Sequence, residues 1–190
     1  LLFDIDMTMV RTDGAGRGAM DAAFRQQFGI EQATEGMVFD GRTDHGIFNE
    51  CLERHGLGGR DLSSHFERIA ESYLDHLPGR LAEKGGVVLP GVRELLGALA
   101  DEDAVVGLAT GNLRRGAAHI FLFFCFWEHF AGGGFGDRHT VRAELVRDGI
   151  AELETKFGLA AGSAGGIVLG DTPLDIDAAH LTGARALGVG

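Results

Sequence analysis

The sequence predicts an α/β fold, a doubly wound parallel sheet of Rossmann-like type carrying an inserted helical domain. Three observations carry that prediction. Short apolar runs at residues 1–3, 105–109 and 166–170 are bounded by glycine or polar residues, the pattern of strands buried on both faces. Helical patterns alternate with these runs, which is the signature of a parallel sheet. Residues 13–87 have no strand character but hold three helical patterns, a span far too long for a connection inside one compact domain.

Taken in order, residues 1–3 form a strand that leads directly into Asp4. Helices are expected at 17–28, 44–55 and 62–77, after which the chain rejoins the core near Leu89-Pro90-Gly91. A helix at 92–100 precedes the strand at 105–109, which runs into Thr110-Gly111-Asn112. The next helix, 113–124, overlaps the most apolar stretch of the chain, residues 120–127, read as buried helix and far too short to cross a bilayer. A helix at 142–157 is stopped by Gly158, in the position glycine favours after a helix. The strand at 166–170 leads into Asp171, and a short helix at 175–181 precedes a final strand at 184–189. The expected division is a core of residues 1–12 and 88–190 with a helical cap of residues 13–87.

The bulk properties narrow the function. The 190 residues carry a net charge of −11, which argues against a nucleic-acid partner. The two cysteines, Cys51 and Cys125, are too few and too far apart for a disulfide framework or a structural zinc site. With no signal-peptide pattern and no membrane-spanning run, a cytoplasmic protein without a membrane partner is expected. The chain begins at Leu1 inside one apolar run and ends at Gly190 inside another, so further residues are expected at both ends.

The informative signal is positional. In doubly wound sheets ligands bind at the carboxyl ends of the strands, so Asp4, Thr110 and Asp171 are expected to converge. With Asp6 and Asp175 close behind two of them, the set exceeds what turn and cap residues explain. Asp4-Ile5-Asp6-Met7-Thr8 resembles the DxDxT motif of the phosphatase branch of the haloacid dehalogenase-like superfamily. Thr110-Gly111-Asn112 is similar to its second motif and Gly170-Asp171-Thr172-Pro173-Leu174-Asp175 to its fourth, GDxxxD. The inserted segment matches the helical cap of phosphoglycolate phosphatases and β-phosphoglucomutases in that superfamily.

The resemblance implies a phosphomonoesterase acting on a small phosphorylated metabolite, and the chemistry of phosphoryl transfer fits the residues. Asp4 is the candidate nucleophile, forming an aspartyl-phosphate. Asp6 is the candidate acid and base, protonating the leaving alcohol and later deprotonating water. Asp4, Asp171, Asp175 and the backbone carbonyl of Asp6 offer hard oxygen ligands for Mg²⁺. Thr8, Thr110, Gly111 and Asn112 are candidates to seat the phosphate.

Two departures from the family pattern stand out. The lysine usual in the third motif is missing. Lys156 lies about 21 Å down its helix at 1.5 Å per residue, so Arg142, with Arg138 as the alternative, is the candidate replacement. Met7 stands where the family has glycine, at a turn beside the nucleophile. In the insertion, Gly41-Arg42-Thr43-Asp44 resembles the loop that reaches toward the substrate, making Arg42 a candidate contact; Thr43 or Asp44 as an N-cap is the other reading.

Competing activities are separable. Asp6 argues against a dehalogenase, which needs no leaving-group acid, and the lack of lysine from 11 to 83 argues against a phosphonatase. A sugar phosphomutase differs in returning the phosphoryl group to the sugar, and a catalytically weak phospho-ligand binding protein differs in releasing none. A receiver domain would place its acceptor deeper in the chain and carry no insertion.

Overall fold

The computed structural model describes residues 1–102, 104–160 and 166–190. Its centre is a parallel sheet built from β1 (Leu2–Phe3), β4 (Gly107–Ala109), β5 (Gly133–Gly134), β6 (Ile167–Gly170) and β7 (Arg185–Gly188), in the order β5-β4-β1-β6-β7. The predicted fold class is the observed one. Phe3 lies in register with Leu108 on one side and Leu169 on the other. This alignment brings Asp4 and the residues that follow β4 and β6 to one edge. Chain order reverses across β1, and that reversal opens a crevice for ligands.

Helices α4 (Val92–Asp101), α5 (Arg114–Phe124), α6 (Arg142–Phe157) and α7 (Pro173–Leu181) accompany the sheet. The prediction missed β5, because two glycines carry no apolar signal. Packing makes the glycines necessary: a Cβ on Gly134 would lie 1.6 Å from the Leu145 carbonyl oxygen of α6.

Between β1 and α4 come α1 (Ala15–Phe28), α2 (Asp44–Arg54) and α3 (Leu62–Lys84). α1 starts two residues earlier than the pattern suggested. α3 continues seven residues past the expected stop at Leu77, through Pro78. Proline removes one helical hydrogen bond, but Leu77 and Leu81 on either side of it are buried in the main core and hold the helix together. A two-stranded antiparallel ribbon of β2 (Val10–Arg11) and β3 (Val87–Val88) joins the two ends of this helical segment. It too escaped the sequence, being two residues per strand.

The apolar stretch 120–127 corrects a second expectation. It is not wholly buried: Ile120, Phe121, Phe124 and Phe126 point into the core, whereas Leu122 and Phe123 are 61% and 43% exposed. The helix ends at Phe124, where Cys125 adopts a left-handed conformation, so helical periodicity divides the aromatics between two faces. The inward set stacks, with Phe121 and Phe130 nearly parallel at 4.9 Å. No helix among the described residues is long and apolar enough to cross a membrane.

Candidate active site

A cavity of about 900 Å³ opens at the carboxyl ends of β1 and β4, walled on one side by the sheet edge and on the other by α1, α2 and the loop before α2. Asp4, Asp6, Thr110, Gly111, Asn112, Arg142 and Asp171 line it together with Arg42.

Asp4 leaves β1 and is buried. Its Oδ1 lies 2.5 Å from Nη2 of Arg142, the first residue of α6, and Nε of the same guanidinium lies 2.6 Å from Asp175 Oδ1. Arg142 also donates to the Gly41 carbonyl at 3.2 Å, tying α6 to the loop before α2. Arg142 thus lies on the cavity wall against Asp4, and Arg138 is not on that wall.

Asp175 sits in the first turn of α7, where its Oδ2 accepts from the Thr172 amide at 3.0 Å and hydroxyl at 2.7 Å in a capping box. The glycine before Asp171 has a steric cause, since a Cβ on Gly170 would lie 2.2 Å from Asp175 Cγ. Asp171 accepts from the Thr8 hydroxyl at 3.0 Å. Asp6 accepts from Asn112 Nδ2 at 2.7 Å, and the same amide nitrogen donates to Thr110 Oγ1 at 3.0 Å. Met7, between Asp6 and Thr8, has φ of 59°, the left-handed region where L-residues other than glycine are strained.

Burial sets the electrostatics. It pushes the Asp4 carboxyl up to about 7; Arg142 works against the rise, and Asp175 and Asp6 add to it. Burial also raises Asp6, with Asn112 and Arg142 opposing. At Arg142 burial disfavours the charge, but Asp4 and Asp175 outweigh it and hold the guanidinium firmly protonated.

The acids fit a hard divalent cation. Oxygens of Asp4, Asp171 and Asp175 lie within 4.8 Å of one another. Asp175 Oδ1 is buried with no hydrogen bond aligned to it, because its contact with Arg142 Nε has the distance of an ion pair but not hydrogen-bond geometry. A buried carboxylate oxygen left in that state has a lone pair to offer.

Two cavity residues went unremarked as site residues in the sequence. Asp44, the first residue of α2 after the N-cap Thr43, is buried, and its Oδ2 accepts from the Leu113 amide at 2.8 Å across to the core. Its own amide donates to the Gly111 carbonyl at 2.7 Å. Burial pushes its carboxyl up to about 7. Arg17 lies on the wall in α1. Neither could be read from spacing, since each has its place only through tertiary contacts. Arg42 is on the wall as expected, but its guanidinium is paired with Glu50 at 2.6 Å.

With this geometry, comparison with known proteins is informative. The family model for haloacid dehalogenase-like hydrolases matches residues 1–189, so the chain belongs to that family. It is a hydrolase of this family, and its neighbours in structure include proteins provisionally assigned as phosphatases and as a phosphomutase. CbbY from Rhodobacter sphaeroides, solved with phosphate, is 17% identical with a TM-score of 0.66, over 97% of this chain and 83% of that one. A provisionally assigned phosphoglycolate phosphatase from Haemophilus somnus is 20% identical with a TM-score of 0.66, over 98% and 82%. A provisionally assigned β-phosphoglucomutase from Thermotoga maritima is 18% identical with a TM-score of 0.57, over 100% and 84%. At these identities the likeness carries the fold alone. A search of curated proteins found no match.

Proposed function

We propose that the chain is a Mg²⁺-dependent phosphomonoesterase that acts on a small phosphorylated metabolite through an aspartyl-phosphate on Asp4. The observation that supports this best is the buried contact between Asp4 and Arg142, set among Asp171 and Asp175 and one residue removed from Asp6. A carboxylate so placed is neutralised enough to approach an anionic phosphoryl group, and the same guanidinium can follow the charge onto it.

An Asp4 oxygen attacks phosphorus and the bond to the leaving alcohol breaks. The departing alkoxide takes the proton of the Asp6 carboxyl, whose raised affinity for protons suits an acid. Asp6, now a carboxylate, takes a proton from water, and that water's oxygen attacks phosphorus. Inorganic phosphate leaves and the Asp4 carboxylate is restored. The Asn112 amide orients Asp6 throughout, Thr110 and the backbone of Gly111 and Asn112 seat the phosphoryl oxygens, and Thr8, whose hydroxyl donates to Asp171, steadies that acid instead.

Mg²⁺ would be held by Asp4, Asp171, Asp175 and the Asp6 carbonyl, supplying positive charge to the phosphoryl oxygens and the attacking carboxylate. We also propose that residues 13–87 act as a cap over a core of residues 1–12 and 88–190. The β2–β3 ribbon at their junction, and a cavity walled by both parts, support that division.

The test is phosphate release from a panel of phosphomonoesters with Mg²⁺ and with chelator, together with acid-quenched digestion to find the phosphoryl mass. Metal-dependent release with the added mass on the peptide holding Asp4 is expected. Steady release with no protein adduct would overturn the covalent route, and transfer to a sugar instead of water would favour the mutase reading.

A further inference from the structure

Four arginines line the cavity, and three already have acidic partners. Arg142 is held by Asp4 and Asp175, Arg42 by Glu50 at 2.6 Å and Arg11 by Asp13 at 2.8 Å. Arg17 differs: among the described residues, no carboxylate oxygen lies within 4.0 Å of its guanidinium. Its Nη1 donates to the Thr34 carbonyl at 2.8 Å and its Nη2 to the Met37 carbonyl at 2.9 Å. The Phe39 ring lies beneath it, with Cζ 4.1 Å from the ring centroid. The one acid in this network, Asp21, accepts at Oδ1 from the Thr34 amide and hydroxyl, both at 2.9 Å.

These partners fix the guanidinium without neutralising it. A carbonyl, a hydroxyl and a ring face carry no net charge; Nη1 also reaches the Thr34 hydroxyl oxygen at 3.4 Å, and of the guanidinium's five N–H donors two remain for a ligand. The cavity therefore has one orienting cation at Asp4 and a second, held rigid and uncompensated, on its helical wall. Of the acids on the helical wall, Asp13 and Asp40 are exposed, Asp13 is taken by Arg11, and Asp44 is occupied by the Leu113 amide. In a chain of net charge −11, a positioned and unmatched cation facing a ligand cavity is a binding group in search of an anion.

We propose that Arg17 is the specificity-determining residue, receiving a second anionic group of the substrate. The preferred substrate is then a phosphate monoester whose alcohol part carries a carboxylate or a further phosphate. The assignment rests on the reading above only in that the phosphoryl group sits at Asp4. It moves the second contact from Arg42, whose guanidinium is already engaged by Glu50, to Arg17, which no carboxylate engages among the described residues.

Calorimetric binding to the Mg²⁺-loaded full chain tests it, using non-hydrolysable pairs. Phosphonoacetate, 3-phosphonopropionate and 4-phosphonobutyrate are each compared with the alkylphosphonate in which methyl replaces the carboxylate. A second series of α,ω-alkanediphosphonates is compared in the same way. The chain should bind at least one dianionic member about tenfold or more tighter than its alkyl partner, and the series that shows this tells carboxylate from phosphate. Arg17→Gln should reduce that preference below about threefold while the alkyl member shifts less than twofold. Arg17→Lys should keep it within about threefold of the parent.

No binding preference in any pair would overturn the proposal. So would equal weakening of both members in Arg17→Gln, the mark of a wall that loses its shape once the Thr34 and Met37 carbonyls lose their donor. If Arg17→Gln does not fold, Arg17→Lys decides: loss of preference in a variant that melts like the parent overturns the assignment. Because binding is read, Arg17-dependent preference in a chain that released no phosphate would contradict the phosphatase reading and still support Arg17.

Discussion

Arg142 Nη2 lies 2.5 Å from Asp4 Oδ1 with both side chains buried, 6% and 8% exposed, while Nε of the same group reaches Asp175 Oδ1 at 2.6 Å. One guanidinium thus joins the end of β1, the first turn of α7 and the start of α6. Removing one partner of a buried pair strands the other's charge, at a cost of about 3–5 kcal/mol.

Arg142→Ala should therefore lower unfolding stability by about 3–5 kcal/mol in metal-free denaturant titrations. Arg142→Lys keeps the charge but cannot contact both acids as a fork, so it should recover more than half of that loss. An alanine variant as stable as the parent would show that the contact is not formed in solution.

Met7 is half exposed and holds a left-handed conformation, so it contributes little burial and carries strain. Met7→Gly should raise stability by about 0.5–1 kcal/mol, and Met7→Ala should not, because alanine keeps the same unfavourable φ. Chemical denaturation of the three proteins reads this directly.

Asp44 predicts a pH dependence. Its carboxyl is raised from an ordinary 3.8 to about 7, first by burial, with Asp6 and Asp137 adding to the rise and the Leu113 amide opposing it. Between about pH 4 and 7 the folded chain therefore binds more protons at Asp44 than the unfolded chain does. Stability from this group is fully present at low pH and falls as pH rises through that window, with a slope of at most about 1.4 kcal/mol per pH unit. Asp44→Asn keeps an acceptor for the Leu113 amide but cannot ionise. In chelator, its stability should fall less steeply from pH 5 to 7 than the parent's; parallel curves would contradict the shift.

Asp6→Asn separates leaving groups. Alkyl phosphates, whose alcohols need a proton, should lose far more in single-turnover rate than aryl phosphates, whose phenolates leave unaided. Equal losses on the two classes would remove Asp6 from the acid role.

How much of this was legible depended on what each residue answers to. Asp4, Thr110 and Asp171 follow apolar runs, so local sequence reveals both the strand and the reactive residue at its end. Arg142 was found because it opens the helix in which the family usually carries its third-motif lysine. β5 was invisible because Gly133 and Gly134 are selected by the close approach of β4 and α6, not by any preference for strand. α3 outran Pro78 because burial of Leu77 and Leu81 outweighed a local breaker. Asp44 and Arg17 read as ordinary helix residues, since what sets them apart is Leu113 and Met37, distant in sequence.

The central claim is that Asp4 itself carries the phosphoryl group, and turnover by Asp4→Asn with Mg²⁺ present tests it most directly. The amide preserves size and can still face Arg142 but is no nucleophile. Turnover on the best substrate should fall by about 10⁴ or more, equivalent to about 5.5 kcal/mol of barrier, with the fold intact by melting. An Asp4→Asn protein that kept a tenth of the parent's turnover would contradict the account.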